Sequence, residues 1–175
     1  MHNYKNGKGI SLKEGFDIII KDNFLDEDVY KKIHKKIDTF IYSSNLNMIK
    51  GIDHIWFSCI ADKEMQKIIK DKCEQIWNKK FKIRFCSYTM LATVEPVVHS
   101  DLSKECDHQI IVYIKGNTNL HKGTGFYLNG ELNTHIGFNE NRAVLWHSNT
   151  SHSPLNWASD DKSKRYSVIC QLKEI

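Results

Sequence analysis

The second half of the chain is a succession of short β-branched and aromatic runs separated by turn residues. These runs occupy residues 81–98, 109–114, 125–128, 132–138, 142–146 and 166–172. Residues that favour positive φ, such as Asn129-Gly130, punctuate them at short intervals. Strands this numerous and closely spaced predict an antiparallel sandwich or barrel.

Two amphipathic helices are predicted ahead of these strands. A strand at 16–20 comes first, and Asp26 is the expected N-cap of the first helix. The apolar stripe of that helix is expected to consist of Val29, Ile33, Ile37, Phe40 and Ile41. The second helix is predicted over 63–78, with apolar side chains on one face and lysines on the other. We therefore expect an α+β fold, mainly β, whose N-terminal helices pack on one sheet.

Nothing in the chain divides it into separate units. Its 175 residues include only 2 prolines and 9 glycines, and we find no linker, internal repeat or low-complexity tract. We expect one domain over residues 1–175, with an N-terminal strand and helices at 16–80 and a β-barrel core at 81–175.

Composition and charge exclude several classes of protein. With 41% hydrophobic residues the chain can build a core, and its net charge of +4 is modest. The basic and aromatic segment 77–85 (WNKKFKIRF) carries no dedicated nucleic-acid motif, so nucleic acid is not an expected partner. Five cysteines without a C-x-x-C pair indicate reduced thiols and a cytoplasmic location. No apolar export signal or membrane-spanning stretch is found, so we expect no membrane association.

The most informative motif is His99-Ser100-Asp101, at the point where a strand run gives way to a polar segment. Residues i and i+2 of an extended chain project to the same side, so an imidazole and a carboxylate can reach one metal ion. An isolated H-x-D motif is a weak signal, because such pairs are common at surfaces. A third ligand can come from the segment after a later apolar strand, where His147 and His152 both stand.

Arg165 opens the last strand run, which we expect to lie beside the strand preceding His152. A guanidinium can hold a carboxylate through two hydrogen bonds. Ser167, two residues further and on the same face, can add a hydroxyl. Lys162 and Lys164 are alternative cations, but the position directly before an apolar strand favours Arg165.

In the order H-x-D, H, R-x-S the chain resembles the iron(II)- and 2-oxoglutarate-dependent oxygenases, particularly the prolyl-4-hydroxylase-like branch. The likeness extends over nearly the whole chain. It is carried by 18–37 (IIIKDNFLDEDVYKKIHKKI), 87–101, the glycine-rich 123–128, and 141–152. This resemblance implies a double-stranded β-helix, the jelly-roll or cupin-like barrel, with the N-terminal helices packed on one sheet.

By position, the resemblance makes His99, Asp101 and His152 the catalytic residues and the ligands of iron(II). The turn before His152 and the proline at Pro154 are similar to the family pattern and favour His152 over His147. Two imidazoles and one carboxylate suit a first-row divalent metal and leave coordination positions open.

The resemblance also implies a site for 2-oxoglutarate. Its far carboxylate is expected to pair with Arg165 and Ser167. Tyr88 and Tyr113 stand where family members often have tyrosines that line the cosubstrate pocket.

The implied reaction is hydroxylation of a protein side chain or a small metabolite. It would consume O2, decarboxylate 2-oxoglutarate to succinate, and use ascorbate as a reductant for the iron. Two alternatives stay open: a non-catalytic cupin-type metal-binding or structural barrel, and a nucleic-acid demethylase. The second lacks an arginine expected downstream in that branch, since Arg165 is the last arginine of the chain.

Overall fold

The computed structural model describes residues 10–12, 16–46, 55–91, 98–101, 103–155 and 164–175. The elements follow in chain order as β1 (Ile10–Leu12), β2 (Phe16–Lys21), α1 (Glu27–Lys36), a 3-10 turn (Ile37–Thr39), β3 (Ser43–Leu46), β4 (Ile55–Ile60), α2 (Lys63–Trp77), β5 (Phe81–Leu91), β6 (His108–Lys115), β7 (Gly123–Leu128), β8 (Glu131–Gly137), β9 (Ala143–His147), β10 (Ser151–Leu155) and β11 (Arg165–Glu174). The fold is mainly β with two helices, as the sequence predicted.

The strands form two antiparallel sheets. The larger has the order β1-β2-β9-β6-β11-β5-β4-β3, and the smaller has the order β10-β7-β8. Strands from both sides of residue 80 share the larger sheet. The last strand, β11, pairs with β5 and β6, whereas β9 pairs with β6 and β2. Our expectation that β11 lies beside the strand preceding His152 is therefore wrong, because β6 separates the two.

Both helices pack on one face of the larger sheet. Helix α2 begins where the Asp62 carboxylate accepts a hydrogen bond from the Met65 amide, at 2.9 Å. It ends at Asn78, whose φ of 53° is the left-handed conformation that closes a helix. Its buried side chains, including Ile69 and Cys73, join the core between helices and sheet. No helix in the described ranges is long and apolar enough to cross a membrane.

Helix α1 is shorter than its apolar pattern predicted. Ile33 and Ile37 are buried, but Ile41 is 93% exposed, so its assignment to the buried stripe is wrong. The reason is that the α-helix ends at Lys36 and the chain continues as a 3-10 turn, which rotates later residues off the apolar face. Asp26 stands at the N-cap position without a side-chain capping bond.

The second core lies between the two sheets. On β6, Ile110 and Val112 belong to the core under the helices, whereas Ile111 and Tyr113 belong to the core shared with the smaller sheet, together with Phe126 of β7. This alternation follows from the two-residue period of a strand. We call the face of the larger sheet that looks toward the smaller sheet its inner face.

A buried amide fixes the turn after β2 to the rest of the fold. The side-chain oxygen of Asn141 accepts from the Leu25 amide at 2.8 Å, and its nitrogen donates to the Leu25 carbonyl at 2.9 Å. Asn141 has a φ of 56°, a conformation that asparagine tolerates better than most residues. The predicted Asn139-Glu140-Asn141 turn therefore also anchors a distant segment.

Candidate metal centre

The structure brings His99, Asp101 and His152 together beside the inter-sheet core. One potential ligand atom of each lies within 4.8 Å of the others. The Oδ2 atom of Asp101 is 3.8 Å from Nε2 of His99 and 3.4 Å from Nε2 of His152. Two ring nitrogens and one carboxylate oxygen thus face a common point.

Backbone pairing accounts for this convergence. His99 and His152 form an antiparallel bridge, with N to O distances of 3.0 and 2.8 Å, and their ring centroids lie 4.5 Å apart. The amide of Asp101 donates to the Ser148 carbonyl at 3.1 Å. The segment with the H-x-D motif is therefore aligned along the chain leading into β10.

The orientation of the His152 ring leaves one nitrogen available to a metal. Its Nδ1 lies 2.9 Å from the carbonyl oxygen of Thr150. Because a carbonyl oxygen only accepts, Nδ1 carries a hydrogen, and Nε2 is the ring nitrogen that can bind a metal. A hydrogen bond of this kind fixes the tautomer of a metal-binding histidine.

Asp101 is ionised over the physiological pH range. Burial by itself raises the pKa of this carboxyl and is the largest single influence on it. The side chains of His152 and Gln109, together with the charge that His99 can carry, outweigh burial and lower the pKa to about 2. The carboxylate is therefore available as an anionic ligand.

Arg165 provides a positive charge inside the protein. Its side chain is 2% exposed, and one terminal nitrogen donates to the Gly123 carbonyl at 3.1 Å. Its Cζ lies 5.6 Å from the centre of the Tyr113 ring. Burial lowers the pKa of Arg165 to about 10, so the guanidinium stays charged at neutral pH.

Two further predicted residues share this region of the inner face. The Tyr113 hydroxyl lies 2.7 Å from Oγ1 of Thr124, and both side chains are buried. Ser167 is directly opposite Tyr113 in the pairing of β11 with β6, and its Oγ lies 2.8 Å from Oγ1 of Thr89. Arg165, Tyr113 and Ser167 therefore form one polar group.

Tyr88 does not join this group. It lies on the opposite face of the larger sheet, where its hydroxyl donates to Oδ2 of Asp62 at 2.7 Å and its ring packs 4.9 Å from that of Phe40. The expectation that Tyr88 lines the cosubstrate pocket is therefore not met. The reason is that Tyr88 directly precedes the inner-face residue Thr89 on β5. Adjacent residues on a strand project to opposite faces, so Tyr88 points toward the helices.

His147 also lies away from the triad. It is directly opposite His108 in the pairing of β9 with β6, and their ring centroids are 4.3 Å apart. His108 in turn packs against Trp77 of α2. Of the two histidines left open by the sequence, the structure brings His152 and not His147 to His99 and Asp101.

Two further buried residues lie beside the triad, and one of them, Gln109, was not singled out from the sequence. Gln109 and Trp146 are directly opposite each other on β6 and β9. The Gln109 Nε2 and Trp146 Nε1 atoms are buried and make no hydrogen bond within the part of the chain described. The signal for Gln109 was a single amide in an otherwise apolar strand, HQIIVYIK.

The donor set fits a first-row divalent metal such as iron(II). Imidazole nitrogens and a carboxylate oxygen, three ligands on one side, are typical of sites that keep positions open for small molecules. The ionised state of Asp101 and the orientation of the His152 ring, with Nε2 toward Asp101, agree with this use.

No protein-family model matches the chain, and no curated protein matches it. Solved structures of similar fold do match. A prolyl hydroxylase from Trichoplax adhaerens, in complex with a hypoxia-inducible factor oxygen-degradation-domain peptide fragment, shares 15% identity and a TM-score of 0.66, covering 89% of this chain and 82% of that one.

Two further structures extend this comparison. A 2OG-Fe(II) oxygenase family oxidoreductase from Burkholderia pseudomallei has 8% identity and a TM-score of 0.68, covering 92% of this chain and 86% of the other. The non-heme alpha-ketoglutarate-dependent epimerase SnoN of nogalamycin biosynthesis has 12% identity and a TM-score of 0.66, covering 89% and 77%. The resemblance identified from the sequence is thus confirmed in the fold, which is the jelly roll of these enzymes.

Proposed function

We propose that this protein is an iron(II)- and 2-oxoglutarate-dependent oxygenase. The observation that carries the proposal is the meeting of two imidazoles and an ionised carboxylate, from His99, Asp101 and His152, beside the inter-sheet core. The fold shared with oxygenases of this class supports it.

His99, Asp101 and His152 would hold the iron through Nε2, a carboxylate oxygen and Nε2. Iron(II) with 2-oxoglutarate and O2 supplies the oxidising chemistry of this class, in which 2-oxoglutarate is converted to succinate and carbon dioxide. The protein contributes the ligand geometry, and Trp146, packed 4.9 Å from the His152 ring, excludes water from one side.

Arg165 would bind the far carboxylate of 2-oxoglutarate, with Tyr113 and Ser167 as hydroxyl partners. Gln109 lies near Asp101, and Tyr113 lies near Arg165. Gln109 and Tyr113 are four positions apart on β6, a distance of roughly 13 Å along the strand. An extended five-carbon dicarboxylate such as 2-oxoglutarate, together with the contacts made by its two ends, can span a distance of this size.

The reaction we propose is hydroxylation of a protein side chain or of a small metabolite. A peptide complex of a prolyl hydroxylase and an enzyme of nogalamycin biosynthesis are both similar in fold to this chain. The double-stranded β-helix of this class, closed into a barrel, is the form we propose for the two sheets.

The test is an anaerobic titration of the protein with iron(II) and then 2-oxoglutarate, followed by exposure to O2. We expect the visible charge-transfer band of an iron(II) 2-oxoglutarate chelate, and succinate after O2 is admitted. His152→Ala should abolish both, while His147→Ala should keep both. Metal binding with neither the band nor succinate would instead support the non-catalytic cupin-type barrel.

A further inference from the structure

The Asp101 carboxylate has to present one particular oxygen to a metal. Its Oδ2 atom is the one that approaches the Nε2 atoms of His99 and His152, at 3.8 and 3.4 Å. The backbone of Asp101 is held by the hydrogen bond that its amide donates to the Ser148 carbonyl. That bond does not restrict rotation of the carboxylate about its own axis. Another group must therefore fix the orientation of the carboxylate, which sets whether one oxygen or two would face the metal.

Gln109 is positioned to orient this carboxylate. It is 2% exposed and belongs to the inner face, since it stands two residues from Ile111 on β6. It is directly opposite Trp146 in the pairing of β6 with β9, the ring centroids of Trp146 and His152 lie 4.9 Å apart, and Nε2 of His152 is 3.4 Å from Oδ2 of Asp101. Nε2 of Gln109 completes no hydrogen bond of normal geometry with any described residue. A buried amide donor without a partner destabilises the folded state, so an acceptor is expected.

We propose that Gln109 is a positioning residue that donates a hydrogen bond from Nε2 to the Asp101 carboxylate oxygen facing away from the two imidazoles. This inference rests on the proposed function. With that oxygen held by the amide, Asp101 would bind the metal through Oδ2 alone. The coordination positions used by 2-oxoglutarate and O2 would then stay open.

Metal affinity of the full chain tests the proposal without any need for activity. The probe is Mn(II) alone, titrated into protein freed of metal, with unbound Mn(II) measured by electron paramagnetic resonance. Gln109→Leu removes the donor, and Gln109→Met removes it with a side chain of nearly equal length. We expect the Mn(II) Kd to rise about tenfold in both variants, the lower end of the range for outer partners of metal ligands.

Gln171→Leu is the matched control. Gln171 is directly opposite Gln109 in the pairing of β11 with β6, so it is a glutamine on the same face one strand away. We expect its Mn(II) Kd to stay within about twofold of wild type.

A spectroscopic readout separates positioning from packing. Bound Co(II) should change the shape of its visible absorption in Gln109→Leu, because a freely rotating carboxylate alters the number of coordinating oxygens. Loss of Mn(II) affinity with an unchanged Co(II) spectrum, or an equal loss in Gln171→Leu, would mean that Gln109 only fills space.

The remaining outcomes distinguish this inference from the proposed function. If His152→Ala loses Mn(II) while both Gln109 variants bind it like wild type, the positioning role is overturned and the metal site stands. If wild-type protein fails to bind Mn(II), both are overturned. Thermal unfolding of each variant without metal identifies any variant that fails to fold. If one Gln109 variant does not fold, the Mn(II) affinity of the other tests the positioning role.

Discussion

Two pairs of histidines bridge neighbouring strands of this protein, and their surroundings differ sharply. The rings of His99 and His152 lie 4.5 Å apart, and those of His108 and His147 lie 4.3 Å apart. The first pair faces the carboxylate of Asp101. The second lies on the helix side of the larger sheet, where His108 packs against Trp77.

The carboxylates near the two pairs explain the difference in chemistry. Asp101 faces the imidazole nitrogens of its pair. Glu174 lies 3.6 Å from Nε2 of His108 but also bonds to Lys79 at 2.6 Å, so its charge is already balanced. Burial lowers the pKa of His108 to about 4, which keeps its ring neutral. The carboxylate beside His108 is thus already paired with a lysine, whereas Asp101 faces the two imidazoles that we propose as metal ligands.

The largest expected difference between the two pairs appears when one histidine is removed from each. We expect His152→Ala to weaken Mn(II) binding by a factor of 100 or more, because a three-ligand site loses one ligand. His147→Ala should leave the affinity within about twofold, since its side chain lies on the other face. Isothermal titration calorimetry measures both, and a similar loss in the two variants would contradict the assignment.

The two faces of the larger sheet give a second contrast, at the cosubstrate site. Arg165→Gln should weaken 2-oxoglutarate binding about 100-fold while metal affinity is kept, because a charge-assisted double hydrogen bond is lost. Equilibrium dialysis with labelled 2-oxoglutarate and Mn(II) measures this. Tyr88→Phe, on the helix side, should bind 2-oxoglutarate like wild type.

Acid titration of folding stability reports on His108. Its pKa in the folded protein, about 4, lies below the ordinary value of 6.5, so the unfolded chain binds more protons between these pH values. Stability is therefore lost as the pH falls from 6.5 toward 4, by ~2 kcal/mol from this residue. We expect His108→Phe to lose less over that interval in urea unfolding curves. Parallel wild-type and variant curves would refute this origin.

The smallest expected effect concerns Tyr113. Tyr113→Phe removes one hydroxyl from the polar group beside Arg165, and one neutral hydrogen bond contributes about 0.5–1.5 kcal/mol. We therefore expect 2-oxoglutarate affinity to fall roughly three- to tenfold. The same dialysis assay detects it, and an unchanged affinity would place the Tyr113 hydroxyl outside the cosubstrate site.

Most of the strands and both helices were predictable because their signals are local. The second helix was predicted over 63–78 and is observed as α2 at Lys63–Trp77, because its apolar stripe lies between a capping aspartate at 62 and a closing asparagine at 78. Strands β1, β3, β4 and β10 were missed. The sequences SSNL and SHSPL are polar or contain proline, and only their neighbours in the sheets make them strands.

The site was predictable only in part. His99 and Asp101 follow from two-residue spacing, and His152 and Arg165 follow from family resemblance. Gln109 was overlooked because it belongs to no motif. Its importance comes from lying opposite Trp146, on a strand that is separate in the chain.

What the sequence determined by itself was the alternation of side chains along each strand and the types of residue available for a metal. It did not determine which face of each strand is the inner one. Tyr88 and Tyr113 look equivalent in the sequence, as do His147 and His152, but the pairing of strands sends one of each to the helices and the other to the inter-sheet core. The physical reason is that a shift of one residue turns a side chain to the opposite face, and only long-range pairing sets that register.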